Sequence, residues 1–542
     1  MRLPRFALIR AGQPFTPAAL ALVALAFALP GLAGHDLWKS HDAIGLGIVH
    51  EMARSGEYIV PRVAGLAWLN DPPLYHWVAA AFGTALQSLM EFHSAARLAS
   101  GALVLLAFWL IYLAGSRWGD RTAGAAAMLV LLGCVGLMVH SHEAVPELAT
   151  LAALCGALAA LPRAASDPLA AGVGFGAALG AALLSSHWVT PLAFFIAVTV
   201  AHFACPEWRT RSGVLFIAIS ALIAGVTAAL WPLALGSRSE ELFAAWWSAV
   251  IVPQGHFLGQ LRYFLGAGSW FAWPAWPLAL WTLWSLRRRW REPRLFVPAL
   301  TVLLMIPGLS AWGMQQSVTL IPALAPLALL AALGVHSLRR GAAAALDWFG
   351  LVTFAFFSGL VWLGWFAMMT GVPPRVANNF ARAAPGFVPE FQLPQFLVAA
   401  ALTLAWIGLM FFTPYSTTRS VARWAAGIVL LWGTFAMLWM PWADFQKSYR
   451  SVALQLRSKM PVGADCVAQR GLGIPQAAAL DYHADIRPLP FDIARPQACA
   501  LLLVQGHPRH EFDAPGKGWI KLADVGRPGD RSERYRLYRL RP

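Results

Sequence analysis

Carboxylates, imidazoles and guanidinium groups gather at a few points of an otherwise apolar chain. The densest stretch runs from Gly34 to His93 and carries His41, Asp42, His50, Glu51, Arg62, Asn70 and Asp71. A short turn adds His140, His142, Glu143 and Glu147; later ones add Ser185, Ser186 and His187, then His256 and Arg262, then Gln315 and Gln316. A carboxylate facing a cavity can act as general base toward a hydroxyl or phosphate nucleophile. Arg62 or Arg262 can hold the phosphate of a lipid leaving group. Ionisable residues kept at membrane depth are costly and mark functional paths. Any one of them on a loop can instead be simply solvated, but Asp42 and Glu147 each sit by a helix start, where a carboxylate can face a cavity. Asp42, His142 and Glu147 together could hold a divalent metal.

Several chemistries are absent. No G-x-S-x-G, H-E-x-x-H or Walker sequence occurs, which removes the usual hydrolase, zinc-protease and nucleotide readings. The five cysteines, Cys134, Cys155, Cys205, Cys466 and Cys499, form no C-x-x-C and no Cys/His cluster, so a structural zinc site is not expected. Cys466 and Cys499 could pair if they lie outside the cell, or remain two thiols. Of the 542 residues, 58% are hydrophobic and only 12% charged, against roughly a quarter charged in soluble domains. The chain is therefore read as a polytopic membrane protein, with membrane lipids as its surroundings. Its net charge of +15 comes from Arg beside the spans. Without a basic, aromatic-interleaved soluble module, a nucleic-acid partner is not expected.

The elements that must position these groups are membrane helices. Arg2, Arg5 and Arg10 precede an apolar run from Phe15 to Leu32, which also fits a secretory signal peptide. Further runs lie near 95–116, 121–139, 146–163, 168–185, 187–205, 213–235, 270–286, 295–310, 316–335, 345–370, 395–413 and 422–442, about thirteen spans in all. Alternate connections hold Arg2/Arg5/Arg10, Arg117/Arg121, Arg163, Arg209/Arg211, the Arg287–Arg294 cluster, Arg339/Arg340 and Arg419/Arg423. The positive-inside rule places these in the cytoplasm. The first run is then a retained helix, the N-terminus is inside, and the 34–93 loop and the tail are outside. Within that loop, Ala43–Ser55 reads as an amphipathic helix stopped by Gly56, and Leu74–Phe92 as a helix lying along the interface.

Residues 1–443 thus form the transmembrane domain and 444–542 a soluble extracytoplasmic α/β domain, long enough for its own core. In the tail, Lys447–Met460 and Gln476–His483 read as helices. Cys466–Gln469, Ala500–Val504 and Arg534–Leu540 read as strands. Arg470-Gly471-Leu472-Gly473-Ile474-Pro475 lacks the third glycine and helix start of a phosphate loop.

The run Asp36-Leu37-Trp38…His41-Asp42…Glu51-Met52…Ser55-Gly56-Glu57-Tyr58-Ile59-Val60-Pro61-Arg62…Pro72-Pro73-Leu74-Tyr75-His76-Trp77 resembles the first periplasmic loop of the aminoarabinose transferase and protein mannosyltransferase family. These are GT-C membrane glycosyltransferases that use polyprenyl-phosphate sugars. Arg97-Leu98, Arg117-Trp118-Gly119-Asp120-Arg121, Pro146-Glu147-Leu148 and the run Pro322–Leu330 agree with it. The resemblance implies an all-α polytopic GT-C fold with an outside α/β tail. It further implies a polyprenyl (undecaprenyl) phosphate sugar donor, a lipid or glycan acceptor, no cofactor, and a bacterial inner-membrane location. It makes Asp42 and Glu147 the catalytic carboxylates. His41, Glu51, Arg62, Asn70, Asp71, His142, Glu143, His187, His256, Arg262, Gln315 and Gln316 become the candidate substrate contacts.

Departures from the family pattern are concentrated in its cations. His41-Asp42 stands for an acidic pair, Asn70-Asp71 for Glu-Lys, Glu147 for an aspartate and His187 for a lysine, while Gln315, Gln316 and Thr319 stand where Lys and Tyr are usual. Transfer of a sugar to an acceptor such as lipid A is the first reading. A relative that binds a lipid-linked glycan without catalysis, or assists another transferase, is the second. A secondary transporter is disfavoured by the lack of an inverted repeat.

Overall fold

A computed structural model describes residues 16–253, 256–313, 315–413, 417–461, 463, 466–491, 499–511, 515–516 and 518–541; Arg2, Arg5 and Arg10 lie outside them. The first span is α1 (Pro17–Ala28). The loop after it folds into α2 (His41–Ser55), a hairpin of β1 (Arg62–Val63) and β2 (Leu66–Ala67), and α3 (Leu74–Leu86). The Leu74–Phe92 helix expected from the sequence stops at Leu86, and Phe92 opens the next one. The bundle continues with α4 (Phe92–Trp118), α5 (Arg121–Leu132), α6 (Val135–His140), α7 (Glu147–Ala160), α8 (Pro168–Leu183), α9 (Val189–Ala204) and α10 (Arg211–Arg238). Then come α11 (Glu240–Ile251), α12 (Phe257–Phe271), α13 (Ala275–Ser285), α14 (Pro293–Trp312) and α15 (Leu324–Gly334). The last apolar group is α16 (Arg340–Thr370), α17 (Pro374–Ala383), α18 (Leu393–Phe412) and α19 (Thr417–Leu438).

Helix starts follow short polar side chains. Asp120, Asp167, Thr210 and Ser239 each accept a hydrogen bond from a backbone N–H in the first turn of the helix that follows, satisfying a donor the helix cannot. Among the described residues seven helical stretches are long and apolar enough to cross a membrane, Phe92–Trp118 and Arg340–Thr370 among them, with four shorter apolar helices beside them. The expected 121–139 span is broken at Gly133-Cys134 into α5 and α6, and α11 and α12 occupy a stretch read from sequence as a loop. Small residues set the packing at the bundle centre, as suits helices without a hydrophobic drive between them. A Cβ on Gly124 would come within 2.6 Å of the Tyr112 carbonyl oxygen, so α4 and α5 touch backbone to backbone. The membrane window of Ser317–Ser337 is 83% buried and that of α18 only 6%. The first lies at the heart of the bundle and the second faces lipid.

After α19 the chain turns through α20 (Met440–Lys447) and α21 (Arg450–Lys459) into a five-stranded sheet. It contains β3 (Val467–Arg470), β4 (Pro488–Pro490), β5 (Leu501–Gly506), β6 (Trp519–Val525) and β7 (Arg534–Leu540), in the order β4-β3-β5-β7-β6. β3 runs parallel to β4 and β5, and β7 antiparallel to β5 and β6. α22 (Ile474–Ala484) makes the crossover from β3 to β4. Alternation along β5 splits the core. Leu501 and Leu503 pack with Val452, Leu456 and Leu480 on the helical face, and Leu502 and Val504 with Tyr538 on the other. Cys466 and Cys499 are disulfide-bonded, with Cα atoms 5.1 Å apart.

Candidate active site

The first turn of α2 carries Asp42, a position where the helix dipole favours a carboxylate. The side chain is 1% exposed and meets the fully buried Arg97 of α4. Oδ1 accepts from Arg97 Nε and from the Ala144 N–H, each at 3.0 Å. Oδ2 accepts from Arg97 Nη2 at 2.6 Å and from the Trp38 N–H at 3.1 Å. Arg97 also donates to the carbonyls of His35 (2.8 Å) and Asp36 (2.6 Å). Burial pushes the Asp42 carboxyl up, but the Arg97 guanidinium and the hydrogen bonds outweigh it and hold the group below the usual range. Four donors on two oxygens use up the acceptor capacity of a carboxylate. Asp42, read from sequence as a catalytic carboxylate, lies at a junction where these bonds tie the first loop, α4 and the 141–146 turn into one knot.

That knot brings three chain segments together. Gly45, one helical turn on from Asp42, leaves no room for a side chain, because a Cβ would lie 2.0 Å from the Ala144 carbonyl oxygen. Beside this contact His140 Nδ1 and Glu143 Oε2 are 2.6 Å apart. His140 stacks on Phe271 of α12, and its Nε2 lies 3.5 Å from Ser317 Oγ. His41 feels the charges of Glu143 and His140, and burial lowers its pKa, so its ring is neutral at pH 7. Lys447 of α20 sits 4.3 Å from the Trp38 ring centroid and also couples to Glu143; burial lowers its pKa. A neutral imidazole, an imidazole–carboxylate dyad and a lysine thus share one neighbourhood. Such a set can take a proton from a hydroxyl and hold an anionic leaving group.

The tail clamps the loop that bears this site. Arg450 Nε lies 3.0 Å from both oxygens of Asp36, and Ser448 Oγ donates to Oδ2 at 2.6 Å. Burial pushes the Asp36 carboxyl up, but Arg450 and Ser448 bring it down to about 2. Asp444 Oδ1 accepts from the Asp36 N–H and the Trp38 indole, each at 2.8 Å, and burial beside Asp36 raises its carboxyl to about 6. Lys39 pairs with Glu533 at 2.5 Å. None of Lys39, Asp444, Lys447 and Arg450 was singled out as a site residue from sequence. The signal available was the spacing of Asp444, Lys447 and Arg450, three residues apart at the entry to the tail.

No family model matches the chain. Over 115 residues it is 36% identical to the undecaprenyl phosphate-alpha-4-amino-4-deoxy-L-arabinose arabinosyl transferase of Pseudomonas savastanoi, a match covering 21% of each protein. A second such transferase, from Sodalis glossinidius, is 32% identical over 126 residues, 22% of this chain and 21% of the relative. Sequence similarity to these relatives therefore spans only about a fifth of their length. The structure matches that of ArnT from Cupriavidus metallidurans bound to undecaprenyl phosphate with a TM-score of 0.69, covering 96% of this chain and 97% of that one at 18% identity. The chain has the GT-C fold.

Within the GT-C frame the remaining candidates scatter. Glu147, at the start of α7, is buried with Asp71 as its electrostatic neighbour. Asp71 accepts from the Trp68 indole at 3.0 Å, and burial raises its carboxyl to about 6. The two form a carboxyl pair where the family pattern has a lysine and an aspartate. Asn70 is exposed, and Arg62 stays within its hairpin, donating to the Gly65 carbonyl at 3.2 Å. Glu51 is a seam residue between α2 and α22, where it shares Arg54 with Asp481. His142, expected at the substrate, is a strut: Nε2 meets the Phe27 carbonyl at 2.9 Å, Nδ1 the Met138 carbonyl at 3.0 Å, and the ring stacks on Trp432. His187 caps the start of α9, with Nε2 3.0 Å from the Trp312 carbonyl. His256, Arg262 and Gln315 are exposed, and Gln316 is half-buried. Among the described residues no group of three His, Cys, Asp or Glu side chains is placed to hold a metal. The trio Asp42, His142 and Glu147 fails because Asp42 and His142 are already fully partnered.

Proposed function

We propose that this protein is a bacterial inner-membrane glycosyltransferase that takes a sugar from a polyprenyl phosphate, undecaprenyl phosphate in the first instance. It passes the sugar to an extracytoplasmic acceptor such as lipid A or another envelope glycan. The N-terminus is cytoplasmic; the first loop and the tail face the periplasm, a reading supported by the Cys466–Cys499 disulfide. The observation that carries the proposal is the His41, His140, Glu143 and Lys447 cluster at the first loop, in a fold that holds undecaprenyl phosphate in the Cupriavidus protein.

In the reaction, the acceptor hydroxyl oxygen attacks the sugar carbon bound to phosphate. The carbon–oxygen bond to phosphate breaks, and polyprenyl phosphate leaves with that electron pair. The hydroxyl proton passes to His41 or to the His140–Glu143 dyad, while Lys447 meets the phosphate. Asp42 keeps His41 and the Glu143 turn in register without exchanging a proton. Glu147, paired with Asp71, supports the floor of the site. Binding without transfer is the second reading; the loss of the family pattern's lysines, with Asp71 and His187 at two of those positions, supports it.

Mass spectra of envelope lipids and glycans, from cells with and without the protein, test this. A mass step of one sugar is expected to disappear in the deletion and in Glu143→Gln and His41→Ala. An envelope unchanged by the deletion would overturn the transferase reading.

A further inference from the structure

Two loops at one end of the bundle carry cations without counter-charge. In the first, a single turn of helix, Arg287–Arg289, follows α13. The second joins α15 to α16 and holds Arg339, with Arg340 opening α16. The loops lie side by side because α13 and α15 approach closely: a Cβ on Gly334 would come within 2.1 Å of Thr282 Oγ1. Trp281 Nε1 donates to Ser337 Oγ at 3.1 Å, and Ser337 Oγ lies 3.2 Å from Ser285 Oγ, which pins the second loop against the end of α13. Arg287, Arg288, Arg339 and Arg340 are all exposed.

Among the described residues none of these four arginines has a carboxylate partner. Of the carboxylates in and beside the two loops, Glu292 is shared by Arg289 and Arg294, and Asp347 by Arg419 and Arg423. No acidic residue stands in the first turn of α16 to offset Arg339 and Arg340. The guanidinium groups meet indoles instead. Arg287 Cζ lies 5.2 Å from the Trp284 ring centroid, and Arg339 Cζ lies 5.8 Å from the same ring and 5.9 Å from that of Trp281. Two like charges gathered at one indole repel each other, and an anion beside them turns that repulsion into attraction.

The apolar neighbours select the kind of anion. Leu280 and Trp284, four positions apart, share a face of α13 and are 56% and 50% exposed. The chain reaches Arg287 and Arg288 within one further turn. Indoles sit at the membrane–water interface, so this stripe passes from hydrocarbon at Leu280, through Trp284, to head-group phosphate at the arginines. A free phosphate would meet the cations and leave the stripe uncovered, whereas a phospholipid covers both. Basic clusters at the membrane ends of helices take acidic head groups.

From this juxtaposition we infer that the end of α13 and the α15–α16 connection form a binding site for an anionic phospholipid. Its phosphate lies against Arg287 and Arg339, Arg288 and Arg340 add to the attraction, and an acyl chain runs along Trp284 and Leu280. Under the proposed topology this is the cytoplasmic leaflet, across the membrane from the His41 cluster. The lipid is therefore neither donor nor acceptor, but a partner that neutralises and seats this end of the bundle.

Native mass spectrometry of the purified full chain, offered equal amounts of phosphatidylglycerol and phosphatidylethanolamine, tests the inference. Wild type should retain phosphatidylglycerol in excess. An arginine at the surface of an anionic leaflet strengthens binding about fivefold, so Arg287→Gln/Arg339→Gln should lower phosphatidylglycerol retention about thirtyfold and leave phosphatidylethanolamine as in wild type. Arg375→Gln/Arg382→Gln, at exposed arginines of α17 beyond the far end of α16, should change neither lipid. An excess of inorganic phosphate should leave the adduct in place; displacement would assign the cations to a free anion and overturn the lipid reading. Equal retention of the two lipids by wild type, a preference that survives Arg287→Gln/Arg339→Gln, or the same loss from Arg375→Gln/Arg382→Gln also overturns it. Should Arg287→Gln/Arg339→Gln unfold, Arg288→Gln/Arg340→Gln decides by the same criterion.

Discussion

Replacing Asp42 separates a base from a positioning group. In Asp42→Ala, Arg97 remains, fully buried, with its paired carboxylate gone, and the N–H groups of Ala144 and Trp38 lose their acceptor. Removing one partner of a buried pair costs about 3–5 kcal/mol. Each orphaned buried donor adds about 1–3 kcal/mol unless water reaches it. The single variant should therefore fold poorly or melt well below wild type in detergent, losing transferase output along with its fold. Asp42→Asn/Arg97→Met removes both charges and should recover a large part of that stability, because no uncompensated ion is left. Thermal melts of wild type, both singles and the double give the coupling energy, and the envelope mass step gives output in the same membranes. An Asp42→Asn protein that melts like wild type yet makes no product would refute this reasoning and return Asp42 to the role of base.

Other consequences follow from the same contacts. Gly45→Ala drives a Cβ into a backbone oxygen that cannot turn aside; it should cost at least about 2 kcal/mol and displace Glu143, read as lost product with a lowered melting point. Cys466→Ser should cost about 3–4 kcal/mol for a bridge spanning 33 residues, measured as tail proteolysis, and wild type should take up a maleimide at these two positions only after reduction. Asp71→Asn keeps an acceptor for Trp68 and removes a carboxyl held at about 6. A raised carboxyl pKa means stability is lost as pH climbs through that range, so the variant should gain about 1–3 kcal/mol at pH 7.5 and little at pH 4. His35, lowered to about 3, and His483, lowered to about 4, are neutral in the folded junction, chiefly through burial. Their contribution is full above the unfolded value near 6.5 and is lost as pH falls. Asp444 and Asp481, raised to about 6 by burial, act in the opposite sense below pH 6 and offset part of the loss. Hydrogen exchange over 444–460, corrected for intrinsic rate, should rise between pH 7 and 5; protection that increases instead would contradict this balance.

What the sequence determines here is what adjacent residues decide among themselves. A helix in lipid must satisfy its own backbone, so apolar runs bounded by Arg mark α4, α10, α14, α16 and α18 without reference to the rest of the chain. Alternation writes β5 and β7 equally locally. The first-loop motif was legible for the same reason, because its residues lie along one loop. Helices broken by packing were not legible. The 121–139 run divides at Gly133, whose carbonyl accepts from the indole of Trp424, 291 positions later. Nor could sequence show what surrounds Asp42. An aspartate at a helix start reads as a free base until Arg97, 55 positions on, and the Ala144 N–H, 102 positions on, are folded against it. Likewise Lys447 reaches the Trp38 ring from the far end of the chain. Which acids stay free and which cations stand beside them depends on partners distant in sequence, and only the packed structure brings those together.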